Sequence, residues 1–208
     1  MSPRRRIGIL GGSFDPIHAG HLSVAQQVAG ALKLDEVVLV PAGRPPHKPR
    51  EKLAPAADRL EMARLAIRGL ARLSVSDLET KRSGPSYSLD TVRELKRRLG
   101  AGHEYFFIIG ADTVGDLPDW HRAAAFLRET GFAVVARPGC QPDFDRVGKL
   151  LGAEAAAKLR AAVVEIQPCD VSSTSVRQRA AAGKDITGQV RADVAHYIRK
   201  QGLYGAKD

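Results

Sequence analysis

Two histidines three residues apart, His18 and His21, stand in GGSFDPIHAGH (residues 11–21), directly after the short apolar run IGIL. A spacing of three puts both side chains on one side of a helical turn, so the two imidazoles can face the same point. Gly11 and Gly12 just ahead carry no Cβ, which lets backbone N–H groups approach a ligand closely. Imidazoles donate hydrogen bonds to phosphate oxygens, and phosphate charge favours their protonated form. A helix opening near residues 19–21 adds the positive end of its dipole. The stretch reads as an anion site at the exit of a buried strand. A metal would need a third ligand, which the neighbouring sequence does not supply. A dinucleotide-type GxGxxG is absent, because the glycines are adjacent and histidines follow, so a redox Rossmann site is disfavoured. Asp15-Pro16 reads equally as a turn dipeptide.

The elements that must hold this stretch alternate along the chain. Residues 6–10 predict a strand, followed by a helix with Leu22, Ala25, Val28 and Leu32 on one face. EVVLVPA predicts a second strand and LSVSDLE a weaker one. Between them, Leu60, Ala63, Ile67 and Leu70 fall at helical spacing. A helix with Leu89, Val92, Leu95 and Leu99 follows, then strands in EYFFIIGAD, GFAVVARPG and AVVEIQP. Residues 188–204 predict one last helix, with Val190, Val194 and Ile198 spaced by fours. Such alternation predicts an α/β protein: a Rossmann-like, doubly wound, mostly parallel sheet with helices on both faces. In such sheets ligands sit beyond the carboxyl ends of the strands, at a topological switch point. No repeat, linker or low-complexity tract interrupts the pattern. A single domain over 1–208 is expected, with a helical tail at about 171–204 packed on it.

Composition bounds the function. The 208 residues carry 32 Lys and Arg against 23 Asp and Glu, a formal charge of +9. That excess suits phosphorylated small molecules, nucleic acid or an acidic membrane surface. Aromatic residues are only 5% of the chain, too few to interleave a basic nucleic-acid surface. The basic runs at Arg4–Arg6 and Arg93–Arg98 read as solvated faces. No stretch approaches the ~20 apolar residues of a membrane span. Cys140 and Cys169 fit neither a metal pattern nor a disulfide framework, so a reduced, cytoplasmic protein is expected.

GGSFDPIHAGH resembles the GGxFDPxHxGH signature of adenylyltransferases of the HxGH nucleotidyltransferase superfamily, matching all eight fixed positions. Within that superfamily the chain looks like the bacterial nicotinate mononucleotide adenylyltransferases. Their landmarks recur as PAGRPPHK, SYSLDTV, IIGADTVGDLPDW, VVARPG, VSSTSVR and YIRKQGLY. The resemblance implies transfer of the AMP moiety of ATP onto nicotinate mononucleotide, giving nicotinate adenine dinucleotide and pyrophosphate. The mononucleotide phosphate would attack the α-phosphorus in line, with no nucleophile from the protein. It implies His18, His21, Lys48 and Arg177 as the catalytic set, and Mg²⁺ carried with ATP rather than held in a protein cage.

For the ATP end the resemblance implies Gly11, Gly12, Ser13, Phe14, His18, His21, Gly110, Asp112, Arg137, Ser172, Ser173, Thr174 and Arg177. For the mononucleotide end it implies Asp15, His47, Lys48, Ser88, Trp120 and His121, with Trp120 stacked on the pyridine ring. Read by themselves, Ser172–Thr174 are helix caps with hydroxyls and free amides for an anion, and Arg177 one turn in can grip phosphate in two places. Two prolines make GRPPHK a stiffened loop. Trp120, the only tryptophan, lies in a Pro- and Asp-flanked turn rather than an apolar run. Two details depart from the family form: Val171 and Val176 replace isoleucines, and Ser88 stands where Thr is common. The runner-up readings are another HxGH adenylyltransferase, acting on nicotinamide mononucleotide or phosphopantetheine, and a nucleic-acid-binding protein. The pantetheine enzymes resemble only the N-terminal motif and typically carry Thr at the place of His18. Neither nucleic acid nor membrane is an expected partner, and the sequence leaves the oligomeric state open.

Overall fold

The computed structural model describes residues 3–45, 53–136 and 139–206. Six strands form one all-parallel sheet: β1 (Arg6–Gly12), β2 (Glu36–Pro41), β3 (Leu73–Val75), β4 (Glu104–Gly110), β5 (Gly131–Ala136) and β6 (Val163–Glu165). Their order is β3-β2-β1-β4-β5-β6. It reverses direction between β1 and β4, the place where doubly wound sheets open a ligand crevice.

Strand side chains alternate between two cores, as a period of two requires. Val37, Leu39, Ile108, Ala133 and Val135 join one core. Ile9, Val38, Val40, Phe107, Ile109 and Val134 join the other. Helices cover both. The first core packs against α1 (Ala19–Ala31), α2 (Ala56–Ile67), α7 (Ser173–Ala181) and α8 (Ala192–Lys200). The second packs against α3 (Ser88–Leu99), α4 (Ala123–Glu129), α5 (Phe144–Leu151) and α6 (Ala153–Ala161), with a 3₁₀ segment at Ala111–Asp119. Among the described residues no helix is long and apolar enough to cross a membrane.

The basic runs are neutralised locally. Arg5 pairs with Glu36, Arg93 with Glu129, and Arg97 and Arg98 with Glu94. Those two arginines hold the Glu94 carboxyl down at about 2.

Two expectations from the sequence change, and one unassigned interval is filled. The last helix spans only Ala192–Lys200 rather than 188–204. Val190 is buried as expected, but in a turn whose amide bonds Ile186 O, and Gly202 at φ 59 stops the helix. Leu70 lies beyond α2, which Gly69 at φ 74 turns away. The pair α5–α6 fills the interval after VVARPG that period and composition left unassigned. Its signals are an Asp143 cap that accepts from Arg146 N at 2.9 Å, and Gly152 at φ 99 between the two helices.

Candidate active site

A cavity of about 530 Å³ opens at the reversal point. Its walls include the ends of β1 and β4, the starts of α1, α3 and α7, and the stretch 166–173 after β6. His18 and His21 both line it. Their rings lie 3.8 Å apart at 35°, so the spacing of three brings them to one point as expected.

The histidines also cap the helix that carries them. His18 is the N-cap of α1, in extended backbone at φ −147, ψ 174. Its Nδ1 accepts from Gly20 N at 3.1 Å, while His21 Nδ1 accepts from His18 N at 3.3 Å. This reciprocal arrangement is the capping box ordinarily built from Ser or Thr with Glu. It has a chemical consequence. An Nδ1 that accepts a hydrogen bond carries no proton, so Nε2–H is the donor of each neutral ring. In this geometry the cap fixes the orientation of both rings. The first amides of α1 are already used: Ala19 N bonds Gln189 O at 2.8 Å and Gly20 N bonds His18. Anion contacts from α1 therefore fall to the rings.

Gly20 is fixed by space. A Cβ there would sit 3.0–3.1 Å from the His18 ring and 3.2 Å from Val171 O. Phe14, buried at φ 47, presents an edge contact to His21 at 5.0 Å and does not line the cavity. Its left-handed backbone costs about 1 kcal/mol, and its ring supports His21.

At α7 the arrangement differs. Ser172 caps the helix by accepting from Ser175 N at 3.1 Å. Among the described residues no group accepts from the amides of Ser173 and Thr174. Ser172 and Ser173 line the cavity, whereas Thr174 and Arg177 do not. Ser173 Oγ donates to Pro16 O at 3.0 Å. Arg177 donates to Asp15 O at 2.8 Å and to Thr174 Oγ1 at 3.3 Å. Asp15 is 3% exposed, and its Oδ1 accepts from Ala54 N at 3.0 Å and from the Tyr204 hydroxyl at 2.8 Å. Burial, then the Asp15 charge, pushes the Tyr204 hydroxyl far above its usual range, so it stays a donor. The Asp15 side chain thus faces inward, to Ala54 and the C-terminal segment rather than to the cavity.

Elements of the opposite face build the other wall. Ser88 opens α3, and Tyr87 just before it stacks on His121 at 4.2 Å and 20°. Trp120 is half-buried, stacked on Phe126 at 5.9 Å and edge-on to Phe107 at 6.3 Å. All of these line the cavity. The 3₁₀ segment that leads to Trp120 is tied by Arg146, which donates to Gly115 O and to both Asp119 oxygens. Gly11, Gly12, Ser13, Gly110 and Asp112 also line the cavity. Gly110 leaves room for the Asp112 carboxylate, which a Cβ would meet at 2.2 Å. His47, Lys48 and Arg137 lie outside the described residues.

Sequence reasoning missed Glu79 and Arg59. Glu79 is 6% exposed and lines the cavity. Burial pushes its carboxyl up, while hydrogen bonds from Thr91 and Ser86 pull it down. Arg59 is 2% exposed. Its signal was available: it precedes the buried Met62, Ala63 and Ala66 by three, four and seven, and so stands in the apolar stripe of α2.

A doubly wound parallel sheet with two helix starts and a histidine pair at its reversal point defines a nucleotide-binding protein of the nucleotidyltransferase type. Residues 9–179 match the cytidylyltransferase-like family. A "Probable nicotinate-nucleotide adenylyltransferase" of Dehalococcoides mccartyi (strain 195) is 42% identical over 200 residues, 96% of this chain and 97% of that protein. One from Synechococcus sp. (strain JA-3-3Ab) is 41% identical over 98% of this chain and 99% of its own length. The structure of Plasmodium falciparum nicotinic acid mononucleotide adenylyltransferase complexed with NaAD has the same fold. Its TM-score is 0.76 at 21% identity, covering 97% of this chain and 98% of that one. The chain belongs to the cytidylyltransferase-like family, and within it to the nicotinate-nucleotide adenylyltransferases that it matches end to end.

Proposed function

We propose that this protein joins nicotinate mononucleotide to the AMP moiety of ATP, giving nicotinate adenine dinucleotide and pyrophosphate in NAD biosynthesis. The observation that carries the reading is the His18–His21 pair, both rings oriented by the cap of α1 at the reversal-point cavity. A 5′-phosphate oxygen of the mononucleotide attacks the α-phosphorus of ATP. The bond from that phosphorus to the bridging oxygen of the β-phosphate breaks, and pyrophosphate departs. The nucleophile comes with the substrate, so the protein's work is positioning and charge stabilisation. His18 and His21 donate through Nε2–H to α-phosphate and bridging oxygens, where charge develops. The α7 amides and Arg177 take the departing phosphates, joined by Lys48 of GRPPHK. Mg²⁺, if carried in with ATP, would supply neutralisation of phosphate charge. Among the described residues no group of three metal-ligating side chains is present, and donors of this kind suit a metal held by substrate oxygens and water. The proposed compartment is the cytoplasm.

The choice of mononucleotide rests on the Tyr87–His121 wall. A carboxylate accepts only, and suits amide donors at the start of α3 and around His121. Asp116 is exposed and Asp119 is occupied by Arg146, so neither carboxylate turns inward to favour a carboxamide. Side-by-side rates at low substrate should give a kcat/KM for nicotinate mononucleotide at least about tenfold above that for the nicotinamide form. Equal rates would show that this wall does not select the carboxylate.

A further inference from the structure

Glu79 lines the cavity although it is buried, and two hydroxyls hold it there. Thr91 Oγ1 donates to its Oε1, and Ser86 donates to the same carboxyl group. Counting donors and acceptors fixes the direction of each bond. Ser86 Oγ accepts from Gly43 N at 3.1 Å and from Arg44 N at 3.2 Å, which uses both lone pairs, so its proton goes to Glu79. Thr91 Oγ1 accepts from Arg82 Nη1 at 3.3 Å and lies 3.2 Å from Tyr87 O, and its one proton goes to Glu79, the closer acceptor. The exit of β2 packs on the same point. A Cβ at Gly43 would meet Glu79 O at 2.2 Å, so only glycine fits.

Ser86 and Thr91 bracket the start of α3, where no side chain caps the helix at Tyr87. Its first turn is held from one side by Ser86, whose amide bonds Arg44 O at 3.0 Å, and from the other by Thr91, whose amide bonds Tyr87 O at 3.1 Å. Between them stand Tyr87, stacked on His121, and Ser88, both on the cavity wall. Thr91 is buried and does not line the cavity, so its hydroxyl can affect a ligand only through that wall.

We propose that Glu79 is a positioning residue for the mononucleotide: by accepting from Ser86 and Thr91 it fixes the start of α3, and with it the Tyr87–His121 stack and the amides that meet the substrate carboxylate. The proposal rests on the function given above, and its test separates the two. Glu79→Leu keeps the bulk and removes both acceptor oxygens, whereas Glu79→Gln keeps one. Thr91→Val removes one donor and keeps the shape, and Thr91→Ser returns the donor.

In the free protein the His121 ring protons report on the Tyr87 stack by NMR. Their signal is assigned by its loss in His121→Gln, and its unstacked position is taken from Tyr87→Leu. Glu79→Leu should move the signal most of the way to that position. Its KM for nicotinate mononucleotide should rise at least about tenfold, with the ATP KM within about twofold of the parent's and kcat within about threefold. Glu79→Gln should fall between Glu79→Leu and the parent on both readouts. Should Glu79→Leu fail to fold, Thr91→Val should move the signal and raise the mononucleotide KM about threefold or more, and Thr91→Ser should restore both. An unmoved His121 signal, an ATP KM that rises as far as the mononucleotide KM, or a Thr91→Ser protein that behaves like Thr91→Val would overturn the proposal. A moved signal in a protein whose parent makes no dinucleotide would uphold the hold of Glu79 on this wall and sink the proposed reaction.

Discussion

The two helices that open onto the cavity from the same face of the sheet begin in different ways. At α1 the first amides bond to Gln189 O and His18 Nδ1, and the capping side chains themselves are the donors aimed at a ligand. At α7 the cap is an ordinary serine, the amides of Ser173 and Thr174 meet no described acceptor, and the charged side chain Arg177 is bonded to Asp15 O. One start gives rings and keeps its backbone to itself. The other gives backbone and ties up its side chains. Groups that must act on a reacting phosphorus need a fixed direction, which a capping box provides. Groups that only hold terminal phosphates can be amides around a helix axis, where direction matters less.

The histidine side of that contrast breaks most sharply. His21→Ala removes a ring donor and also the acceptor for His18 N. His21→Asn keeps an acceptor near the Nδ1 position and removes only the donor. Both should lose about 3 kcal/mol or more of transition-state stabilisation, at least about a hundredfold in kcat. Only the alanine variant should also lose about 1 kcal/mol of stability as its cap fails. His18→Ser follows the same logic, a sound cap that lacks the ring N–H donor: stable and nearly inactive. A His21→Asn protein with near-parental kcat would show that the rings are caps and nothing more.

Gly20→Ala tests the space between those rings and α7. Alanine is worth up to about 1 kcal/mol more than glycine in a helix. The added Cβ would nonetheless press on the His18 ring at 3.0–3.1 Å and on Val171 O at 3.2 Å. We expect a melting temperature equal to or above the parent's, with kcat/KM lower by about tenfold or more. A loss of stability with activity intact would reverse the assignment of that glycine.

The same contrast explains what was legible in the sequence. The histidine motif is local: cap, donor, spacer glycine and strand exit lie within eleven residues, so chemistry could be read from spacing. Strand alternation was equally readable, because the strands with long apolar runs are buried on both faces. What escaped depends on distant partners. Asp15 looked like a ligand or turn residue because its acceptors' partners, Ala54 and Tyr204, lie 39 and 189 residues away. Arg59 stands in the apolar stripe of α2, but the four carbonyls it gathers come from segments that only the fold brings together. The last helix was overextended because Val190 is buried like a helical residue while sitting in a turn.

Arg177 is the point where the two helix starts meet, since its guanidinium bonds the carbonyl of Asp15 in the α1 motif. Arg177→Ala should raise the KM for ATP about tenfold and lower kcat, with the mononucleotide KM little changed. Arg177→Lys should recover only part, because a point charge cannot replace the fork. Movement of the mononucleotide KM instead would mean that the two substrate ends are reversed.

The smallest effect belongs to the cap of α7. Ser172 Oγ satisfies Ser175 N, so Ser172→Ala should cost about 1 kcal/mol of stability, whereas Ser172→Gly should cost only a few tenths. Neither change removes the Ser173 and Thr174 amides. The activity penalty should follow fraying of the first turn rather than loss of a contact. We expect the KM for ATP to rise about threefold in the alanine variant and less in the glycine variant, with kcat unchanged in both, because the frayed turn must be re-formed on binding. Saturating ATP should restore most of the lost melting temperature, since a ligand that binds only the ordered helix start stabilises it by mass action. This pattern is the mirror of His18→Ser, where the cap survives and turnover does not. A kcat loss in Ser172→Ala that saturating ATP does not repair would place a directed donor at α7 as well, and the division between a start that acts through rings and a start that acts through amides would no longer hold.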